Sequence, residues 1–215
     1  VLPVGTEEER AFAEDTLSRI RALLERQRQE QFEALFTENP YVEEAAMPPV
    51  TPEDEARGFV AFVPHWMATV YPATVPRETD LARPLACFAC PGEYEPMTVA
   101  VRALQPLARA TCTVSDLTGP GEIPASAVEV RTVKCWPQRW GSSWSTEWRV
   151  VPELLEASNA ADVPEDTTQV FWLTVRVPAD AKPGTYSGRA SLSADNAGAV
   201  EVPVSVEVLP FQLVA

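Results

Sequence analysis

Residues 169–192 read QVFWLTVRVPADAKPGTYSGRASL, and this stretch decides the fold. Apolar and polar side chains alternate on both sides of a Pro/Gly-containing segment, Ala179 to Gly184, which is typical of two strands joined by a turn. A third alternating run follows at 200–208, after a turn at 195–198. The recurring apolar positions are Phe171, Leu173, Val175 and Val177, then Tyr186, Gly188, Ala190 and Leu192, then Val200, Val202, Val204, Val206 and Val208. Three such runs predict an antiparallel meander with one buried face and one solvated face.

Shorter runs of the same period occur upstream, so the strand-rich region begins well before residue 169. They predict strands at 58–63, 84–90, 95–104, 111–116, 127–136 and 145–151, followed by a short helical turn from Pro152 to Ser158. Eight or nine short strands with Pro/Gly-rich turns predict a mainly β fold, an antiparallel β-sandwich. Pro203 has no N–H to donate to a neighbouring strand, so we expect its strand to lie at an edge or a bulge.

The N-terminal segment has a helical pattern instead. Thr6 is a plausible N-cap because Glu9 follows three residues later, and Asn39-Pro40 ends the pattern. Its apolar positions are Ala13, Leu17, Ile20, Leu24 and Leu35, with Phe12, Phe32 and Phe36 beside them. A long helix with one apolar edge must lie on something. We expect it to pack on its own chain, and another copy or a missing neighbour remain as alternatives.

These patterns divide the chain into three parts. Residues 1–39 form the amphipathic helix, residues 40–57 a linker rich in proline and acidic residues, and residues 58–215 the β-sandwich domain. The charge distribution also distinguishes the first quarter of the chain from the rest, because residues 6–56 carry 14 acidic and 5 basic side chains, a net charge of −9.

Composition excludes several classes of function. The chain has 31 acidic and 17 basic residues and a net charge of −14, which disfavours nucleic acid and anionic membrane surfaces as partners. No run of about 18 apolar residues is present, so we expect no membrane insertion. The chain starts at Val1 without a signal-peptide pattern, which suggests a mature or trimmed chain. Four cysteines in 215 residues are too few for a disulfide scaffold.

Several longer runs resemble one known domain. The stretch 169–192, closed by VEVLPFQL (206–213), resembles the N-terminal β-sandwich domain of glycoside hydrolase family 123-like proteins. The runs RGFVAF (57–62), MATVYPATVP (67–76) and FACPGEYEP (88–96) are similar to the start of the same domain. The resemblance covers roughly residues 57 to 215, whereas the turn sequence PADAKPGTYSG on its own is shared by many sandwich domains.

The resemblance carries implications for function. In that family the sandwich precedes a (β/α)₈ barrel that cleaves β-linked N-acetylgalactosamine by substrate-assisted catalysis, with an Asp-Glu pair on the barrel. None of those catalytic positions falls within this chain, which stops where the barrel would begin. The resemblance therefore implies a chain without hydrolase activity whose main partner is the C-terminal catalytic barrel of the same protein. It also implies a secreted or extracytoplasmic protein.

The stretch CFACPGEYEP (87–96) offers candidate chemistry of its own. Cys87 and Cys90 would lie about 10 Å apart on one strand and point to opposite faces, which argues against a disulfide or a zinc knuckle. Glu93 and Glu95 would lie about 7 Å apart, which is near the range of an inverting glycosidase pair but is also the spacing of any i, i+2 pair on a strand. A general acid would in addition need a pocket that raises its pKa. We expect one of these carboxylates to bond to backbone or to an arginine. The sequence predicts no metal site and no cofactor.

No motif for nucleophilic catalysis is present. His65 is the only histidine, and the chain contains no G-x-S-x-G elbow, no H-E-x-x-H and no phosphate-binding glycine loop. A structural or interface role is the default interpretation of this histidine.

The segment CWPQRWGSSWSTEW (135–148) has the most unusual composition and holds four of the six tryptophans. Pro137, Gly141 and three serines argue for a loop carrying several rings. The candidate site residues are Trp136, Arg139, Trp140, Trp144 and Trp148. Flat rings beside polar groups are typical of a sugar-stacking surface. The alternative is that the rings cap the sandwich, dock the barrel, or contact a partner protein.

Together these patterns predict a non-catalytic ancillary module of a glycoside-hydrolase-like protein, which supports the barrel. For the tryptophan segment we favour packing on the sandwich or docking of the barrel, with contact to carbohydrate as the other interpretation. Two alternatives remain. One is an autonomous carbohydrate-binding module, and the other is an adhesion or assembly module that self-associates through the N-terminal helix.

Overall fold

The computed structural model describes residues 6–213. Its helices are α1 (Glu7–Leu35), α2 (Pro52–Arg57) and α3 (Glu78–Leu81), with a 3₁₀ turn at Ala125–Ala127. Its strands are β1 (Thr37–Glu38), β2 (Phe59–Phe62), β3 (Leu85–Ala89), β4 (Tyr94–Ala103), β5 (Leu107–Val114), β6 (Leu117–Thr118), β7 (Glu122–Ile123), β8 (Val128–Arg139), β9 (Glu147–Glu156), β10 (Ala160–Val163), β11 (Thr168–Arg176), β12 (Gly184–Ser193) and β13 (Ala199–Val208). A mainly β fold with a long N-terminal helix is therefore confirmed.

Helix α1 begins where the sequence predicts it. The Glu9 backbone N–H donates to Thr6 Oγ1 (3.3 Å), and the Thr6 backbone N–H donates to Glu9 Oε2 (2.7 Å), which is a capping box. The helix ends at Leu35, because Phe36 adopts an extended conformation. No residue of α1 is buried, and the helix contacts its own chain at its C-terminal end, where Phe32 packs on Trp148.

The described chain divides into two compact units. The helix–hairpin unit consists of the residues up to Pro40 together with Pro137–Arg149, and the sandwich unit consists of Tyr41–Trp136 together with the residues from Val150 onward. In the sandwich unit, one sheet has the order β9-β8-β11-β4-β2 and the other has the order β10-β5-β12-β13-β3. The short strand β6 pairs with β12 and β7 at the side of the second sheet.

The core lies between the two sheets and follows the period-two pattern. From the first sheet, Phe171, Leu173 and Val175 are fully buried on β11, with Val99 and Val101 beside them on β4. The second sheet contributes side chains that are equally buried: Cys112, Tyr186, Ala190, Leu192, Val204, Val206 and Val208. The alternation around residues 169–192 therefore identified the buried face correctly.

The strands are not purely antiparallel, which corrects one expectation. Strand β3 pairs in parallel with β13, from Leu85 opposite Val204 to Ala89 opposite Val208. This pairing begins immediately after Pro203, so Pro203 itself lies where β13 has no neighbour on that side. A parallel pair needs no hairpin, and its two strands are far apart in sequence, so local turn signals do not reveal it.

One local prediction was wrong. Residues 152–156, expected in a helical turn, continue strand β9. The Lys134 ammonium bonds to the Glu156 carboxylate at 2.7 Å, and Arg131 Nη1 donates to the Leu155 carbonyl at 3.5 Å, so β8 holds this segment extended. The stretch 40–57, expected to be a linker, contains α2, which begins with a capping box at Thr51 and Asp54.

The predicted turn between β11 and β12 is held by a tyrosine. Tyr186 follows the turn, its ring is buried in the core, and its hydroxyl donates to the Lys182 carbonyl at 3.0 Å. The same side chain thus fills the core and satisfies a turn carbonyl, which fixes where β12 begins.

We expect Tyr186→Phe to lower the free energy of unfolding by about 1 kcal/mol, because only one hydrogen bond is lost. Tyr186→Ala should cost about 3 to 5 kcal/mol, because it also leaves a cavity in the core. Urea unfolding monitored by circular dichroism measures both values. Equal losses for the two variants would contradict the assigned role of the ring.

Candidate functional site

The predicted tryptophan segment is a hairpin rather than an irregular loop. Trp136 and Arg139 lie on β8, Trp140 follows that strand, and Trp148 lies on β9. Trp144 lies in the connecting turn, where the Ser145 N–H donates to the Ser142 carbonyl at 2.9 Å. The Trp140 N–H donates to the Glu147 carbonyl at 2.8 Å, which closes the hairpin.

Within the helix–hairpin unit, the hairpin contacts the end of α1. The Phe32 ring meets Trp148 edge-on, with 5.2 Å between centroids, and stacks on Phe36 at 5.0 Å. The Arg139 guanidinium lies 5.3 Å from the centre of the Phe36 ring. Residues 37 and 38, which form β1, pair in parallel with Glu147 and Trp148. The signal for these contacts was the Phe32/Phe36 pair, which the sequence places beside the apolar stripe of α1.

A polar cluster around Asn39 reinforces this contact. Asn39 Nδ2 donates to Glu147 Oε2 at 3.0 Å. Arg149 donates to the Asn39 backbone carbonyl through Nε (2.8 Å) and to Asn39 Oδ1 through Nη2 (3.0 Å). The same guanidinium lies 3.8 Å from the centre of the Trp140 ring. Arg149 therefore connects one predicted site residue to the segment that follows α1.

These contacts separate the predicted site residues into two groups. Trp148 is 7% exposed and packs on Phe32, and one face of Trp140 is covered by Arg149, so both rings are engaged within the chain. Trp144 is 92% exposed, and Trp136 is also exposed. Among the candidates, Trp144 presents the most open aromatic surface to a ligand or partner. The carbohydrate role of the segment stays a prediction.

A second surface, which the sequence did not reveal, lies on the outer face of the first sheet. A cavity of about 360 Å³ opens there between the loop at 64–70 and strands β9 and β11. Its lining combines Trp66 and Trp172 with His65, Glu153, Thr69 and Leu154. We call this the outer-sheet cavity. Two indoles with few polar groups form the kind of lining that small-molecule sites have.

The loop that forms the cavity wall is fixed by a small core of its own. Phe62 and Val70, at either end of the loop, are buried against Ala100 of β4 and Val170 of β11. The buried Thr98 hydroxyl donates to the Pro64 carbonyl at 3.0 Å, which ties the loop to the sheet.

Within the loop, the Met67 N–H donates to His65 Nδ1 at 3.1 Å. The His65 and Trp66 rings stack with 5.7 Å between centroids. The only histidine of the chain thus positions the half-exposed Trp66 at the cavity mouth.

The CFACPGEYEP stretch forms a structural corner. The Cys90 N–H donates to Glu93 Oε2 at 2.6 Å, which confirms that one carboxylate bonds to backbone. Burial and the neighbouring Glu93 raise the pKa of Glu95. All four cysteines are free thiols, and within residues 6–213 no group of three or more His, Cys, Asp or Glu side chains could hold a metal ion.

Thiol reactivity follows from burial. Desolvation raises the pKa of Cys112 to about 12, and desolvation with the charge of Glu95 raises that of Cys87 to about 12. Burial raises the pKa of Cys135 to about 11. With these raised pKa values the three thiols are almost entirely protonated at neutral pH. They should therefore react slowly, because the thiolate is the reacting species.

We therefore expect the thiols of the native chain to react with Ellman's reagent at pH 8 about two orders of magnitude or more slowly than those of the unfolded chain. Raising the pH to 9 should accelerate the reaction about tenfold, since the thiolate fraction rises with pH below the pKa. The absorbance of the released thionitrobenzoate follows the reaction. Rapid labelling of all four thiols in the native chain would contradict the burial of these side chains.

A third surface lies where the chain leaves β13. A cavity of about 490 Å³ is lined by Tyr94, Arg176, Pro178 and Ala179 among others. The Arg176 guanidinium lies 5.8 Å from the centre of the exposed Tyr94 ring. Gln212, four residues after β13, donates to the Ala179 carbonyl at 3.0 Å, and Phe211 and Leu213 beside it are exposed. We call this the exit surface.

A family comparison identifies the sandwich. The profile of the glycoside hydrolase 123 N-terminal domain matches residues 76–194, more than half of the chain. The chain belongs to this family. The match covers the N-terminal domain and not the catalytic part of such enzymes, and the resemblance noted in the sequence is confirmed.

Solved structures agree on the fold. A family 123 glycoside hydrolase from Clostridium perfringens, described in work on glycolipid glycan hydrolysis, superposes with a TM-score of 0.55 at 21% identity. The superposition covers 59% of this chain and 23% of that enzyme, so the matched part of this chain spans about a quarter of the enzyme's length.

Other similarities are weaker. The PapD-like domain 7 of human CEP192 matches 80% of this chain and 98% of its own length, with a TM-score of 0.34 at 10% identity. A lytic polysaccharide monooxygenase from Streptomyces lividans covers 75% of this chain and 89% of its own length, with a TM-score of 0.24 at 10% identity. No curated protein matches significantly. None of the helices within residues 6–213 is long and apolar enough to cross a membrane.

Proposed function

We propose that this chain is the non-catalytic ancillary sandwich of a family 123 glycoside-hydrolase-like protein, which supports a C-terminal (β/α)₈ catalytic barrel. The observation that carries the proposal is the family match over residues 76–194, which falls on the N-terminal domain and on no catalytic part. Burial raises the pKa of the Cys87 and Cys112 thiols to about 12, and Glu93 accepts a hydrogen bond from the Cys90 N–H, so a structural role for these side chains supports the proposal. We also propose that the protein is secreted or extracytoplasmic, where glycans are encountered.

The exit surface supports the bracing role. A domain that follows β13 along the chain would begin beside Tyr94 and Arg176, because Gln212 already bonds to Ala179 at that end of the sandwich. Exposed aromatic and aliphatic side chains there, Tyr94, Phe211 and Leu213, would be buried by such a domain. Interfaces between domains of one chain commonly bury about 600 to 1,500 Å², and an apolar patch rimmed by an arginine fits that type of contact.

The proposal predicts that residues 1–215 alone hydrolyse no aryl β-N-acetylgalactosaminide. The assay measures release of the chromogenic aglycone, with a family 123 enzyme as positive control. Turnover that co-purifies with the folded chain through two chromatographic steps would contradict the non-catalytic assignment. The coding sequence downstream of Ala215 gives an independent check, since a barrel with an Asp-Glu pair is expected there. A stop codon directly after Ala215 would contradict the bracing role.

A second candidate function is carbohydrate binding by the chain itself, and the outer-sheet cavity is the observation that favours it. Trp66 and Trp172 provide flat apolar faces in one cavity, and His65, Thr69 and Glu153 provide polar groups beside them. The cavity volume of about 360 Å³ is within the range of small-ligand sites and suits one or two sugar rings. The exposed Trp144 of the hairpin offers a separate stacking face.

Calorimetry with N-acetylgalactosamine-terminated oligosaccharides tests this candidate. If the outer-sheet cavity binds, Trp66→Ala should weaken binding about tenfold or more, because a central aromatic contact is lost. Trp144→Ala, which removes an equally large exposed ring from the hairpin, serves as the matched control and should leave affinity unchanged. Loss with Trp144→Ala and not with Trp66→Ala would assign binding to the hairpin. Absence of binding by the unaltered chain would rule out an autonomous carbohydrate-binding module.

A further inference from the structure

Helix α1 carries a narrow apolar stripe that the rest of the helix–hairpin unit does not cover. Ala13, Leu17, Ile20 and Leu24 recur at spacings of four, three and four, which is the a/d pattern of a coiled-coil seam. Leu17, Ile20 and Leu24 are 53%, 46% and 48% exposed, and no residue of the helix is buried. A seam of this type is completed by a second helix with the same spacing.

Charge is distributed unevenly along the same helix. Residues 7–15 contain five acidic side chains and one arginine, a net charge of −4. Residues 19–28 contain four arginines and one glutamate, a net charge of +3. The acidic segment 7–15 and the arginine-containing segment 19–28 can approach each other in two copies that run in opposite directions, although Glu30 and Glu33 make the last part of the helix acidic again. A parallel copy would place acidic segment beside acidic segment.

We propose that α1 is a self-association surface, and that its partner is the α1 helix of a second copy of this chain in antiparallel orientation. The stripe fixes the register. Leu17 lies opposite the partner's Ile20, and Ala13 lies opposite the partner's Leu24. The two-fold axis duplicates each of these two layers, so the seam contains four apolar layers in succession. Beyond the last layer at each end, Arg10 of one helix lies opposite Gln27 of the other.

The flanking charges match this register. Glu14 lies beside the partner's Arg21, and Glu7 lies beside the partner's Arg28, so symmetry gives four attractive pairs. Within residues 6–213 neither Glu14 nor Arg21 forms an ion pair, whereas Arg28 bonds to Glu25 at 3.2 Å. Glu9 and the partner's Glu30 also approach each other. Both are already engaged in their own helices, Glu9 by the Thr6 N–H at 2.7 Å and Glu30 by Arg26 at 2.8 Å.

The C-terminal end of α1 leaves the stripe free. Phe32, which contacts Trp148 and Phe36, lies outside the a/d positions and beyond the last apolar layer at Leu24. The helix can therefore keep its contacts with the hairpin while the stripe pairs with a second copy. This interface is independent of the ancillary role proposed above, since it uses no residue of the exit surface or the outer-sheet cavity.

Charge reversal on the whole chain, followed by sedimentation equilibrium at about 10 to 200 µM, tests the proposal. The unaltered chain should form dimers that weaken at high salt. Glu14→Arg and Arg21→Glu should each weaken the dimer about tenfold or more, because each turns two attractive pairs into repulsive ones. An equimolar mixture of the two variants should dimerise again, and so should the double variant, because opposite charges then face each other at every pair.

The matched control reverses charges that lie away from the seam. The double variant Asp15→Arg/Arg19→Glu changes neighbouring positions of the same helix, which pair with each other at 4.0 Å, and should dimerise as the unaltered chain does. Circular dichroism confirms that each variant stays folded. A monomeric unaltered chain across the concentration range would overturn the proposal. An unchanged dimer affinity of the Glu14→Arg and Arg21→Glu variants would overturn the antiparallel interface. So would a mixture of these two variants that stays monomeric.

Discussion

The burial of one face of β11 between its two neighbours is the constraint on which the sandwich depends. Nine consecutive residues of β11 pair with β4, and five of them also pair with β8, so the strand is central to its sheet. Its alternate side chains Phe171, Leu173 and Val175 have no solvent exposure. A shift of one residue would expose this whole set and bury Trp172 and Thr174, so the hydrophobic pattern fixes the register. The registers of β4 and β8, and through β4 that of β2, follow from it.

Much of this architecture could be predicted because the relevant signals are local. All nine strands expected from period two are present, and the capping box at Thr6 and Glu9 starts α1 as predicted. The failures involve partners that are distant in sequence. Strand β3 pairs with β13 more than a hundred residues later, and nothing near residue 85 indicates a parallel neighbour. Residues 152–156 have a composition that suits a helix, yet hydrogen bonds and ion pairs from β8 keep them extended.

The candidate surfaces show the same division between local and distant information. Composition located the tryptophan segment, but only the structure shows that Trp148 packs on Phe32 and that one face of the still 37% exposed Trp140 lies against Arg149. The outer-sheet cavity was missed because alternation led us to expect a solvated outer face. Val170 and Trp172 are apolar residues on that face, and they were the available signal. Their cover comes from a loop that starts more than a hundred residues earlier and is held by Phe62 and Val70, which no pattern near residue 170 could indicate.

The energetics of α1 differ from those of the sandwich in a way that bears on its role. Helical stability in proteins comes mostly from packing of an apolar face, and capping boxes and surface ion pairs add only about 1 kcal/mol or less each. Residues 7–30 of α1 have such local contributions, namely the Thr6 cap and the pairs Asp15–Arg19, Glu25–Arg28 and Arg26–Glu30, and no buried side chain. The contacts with Phe32 and residues 37–39 stabilise the C-terminal end of the helix. In the proposed dimer, burial of Leu17, Ile20 and Leu24 would therefore supply the packing free energy that the part of the helix before Phe32 lacks in the single chain.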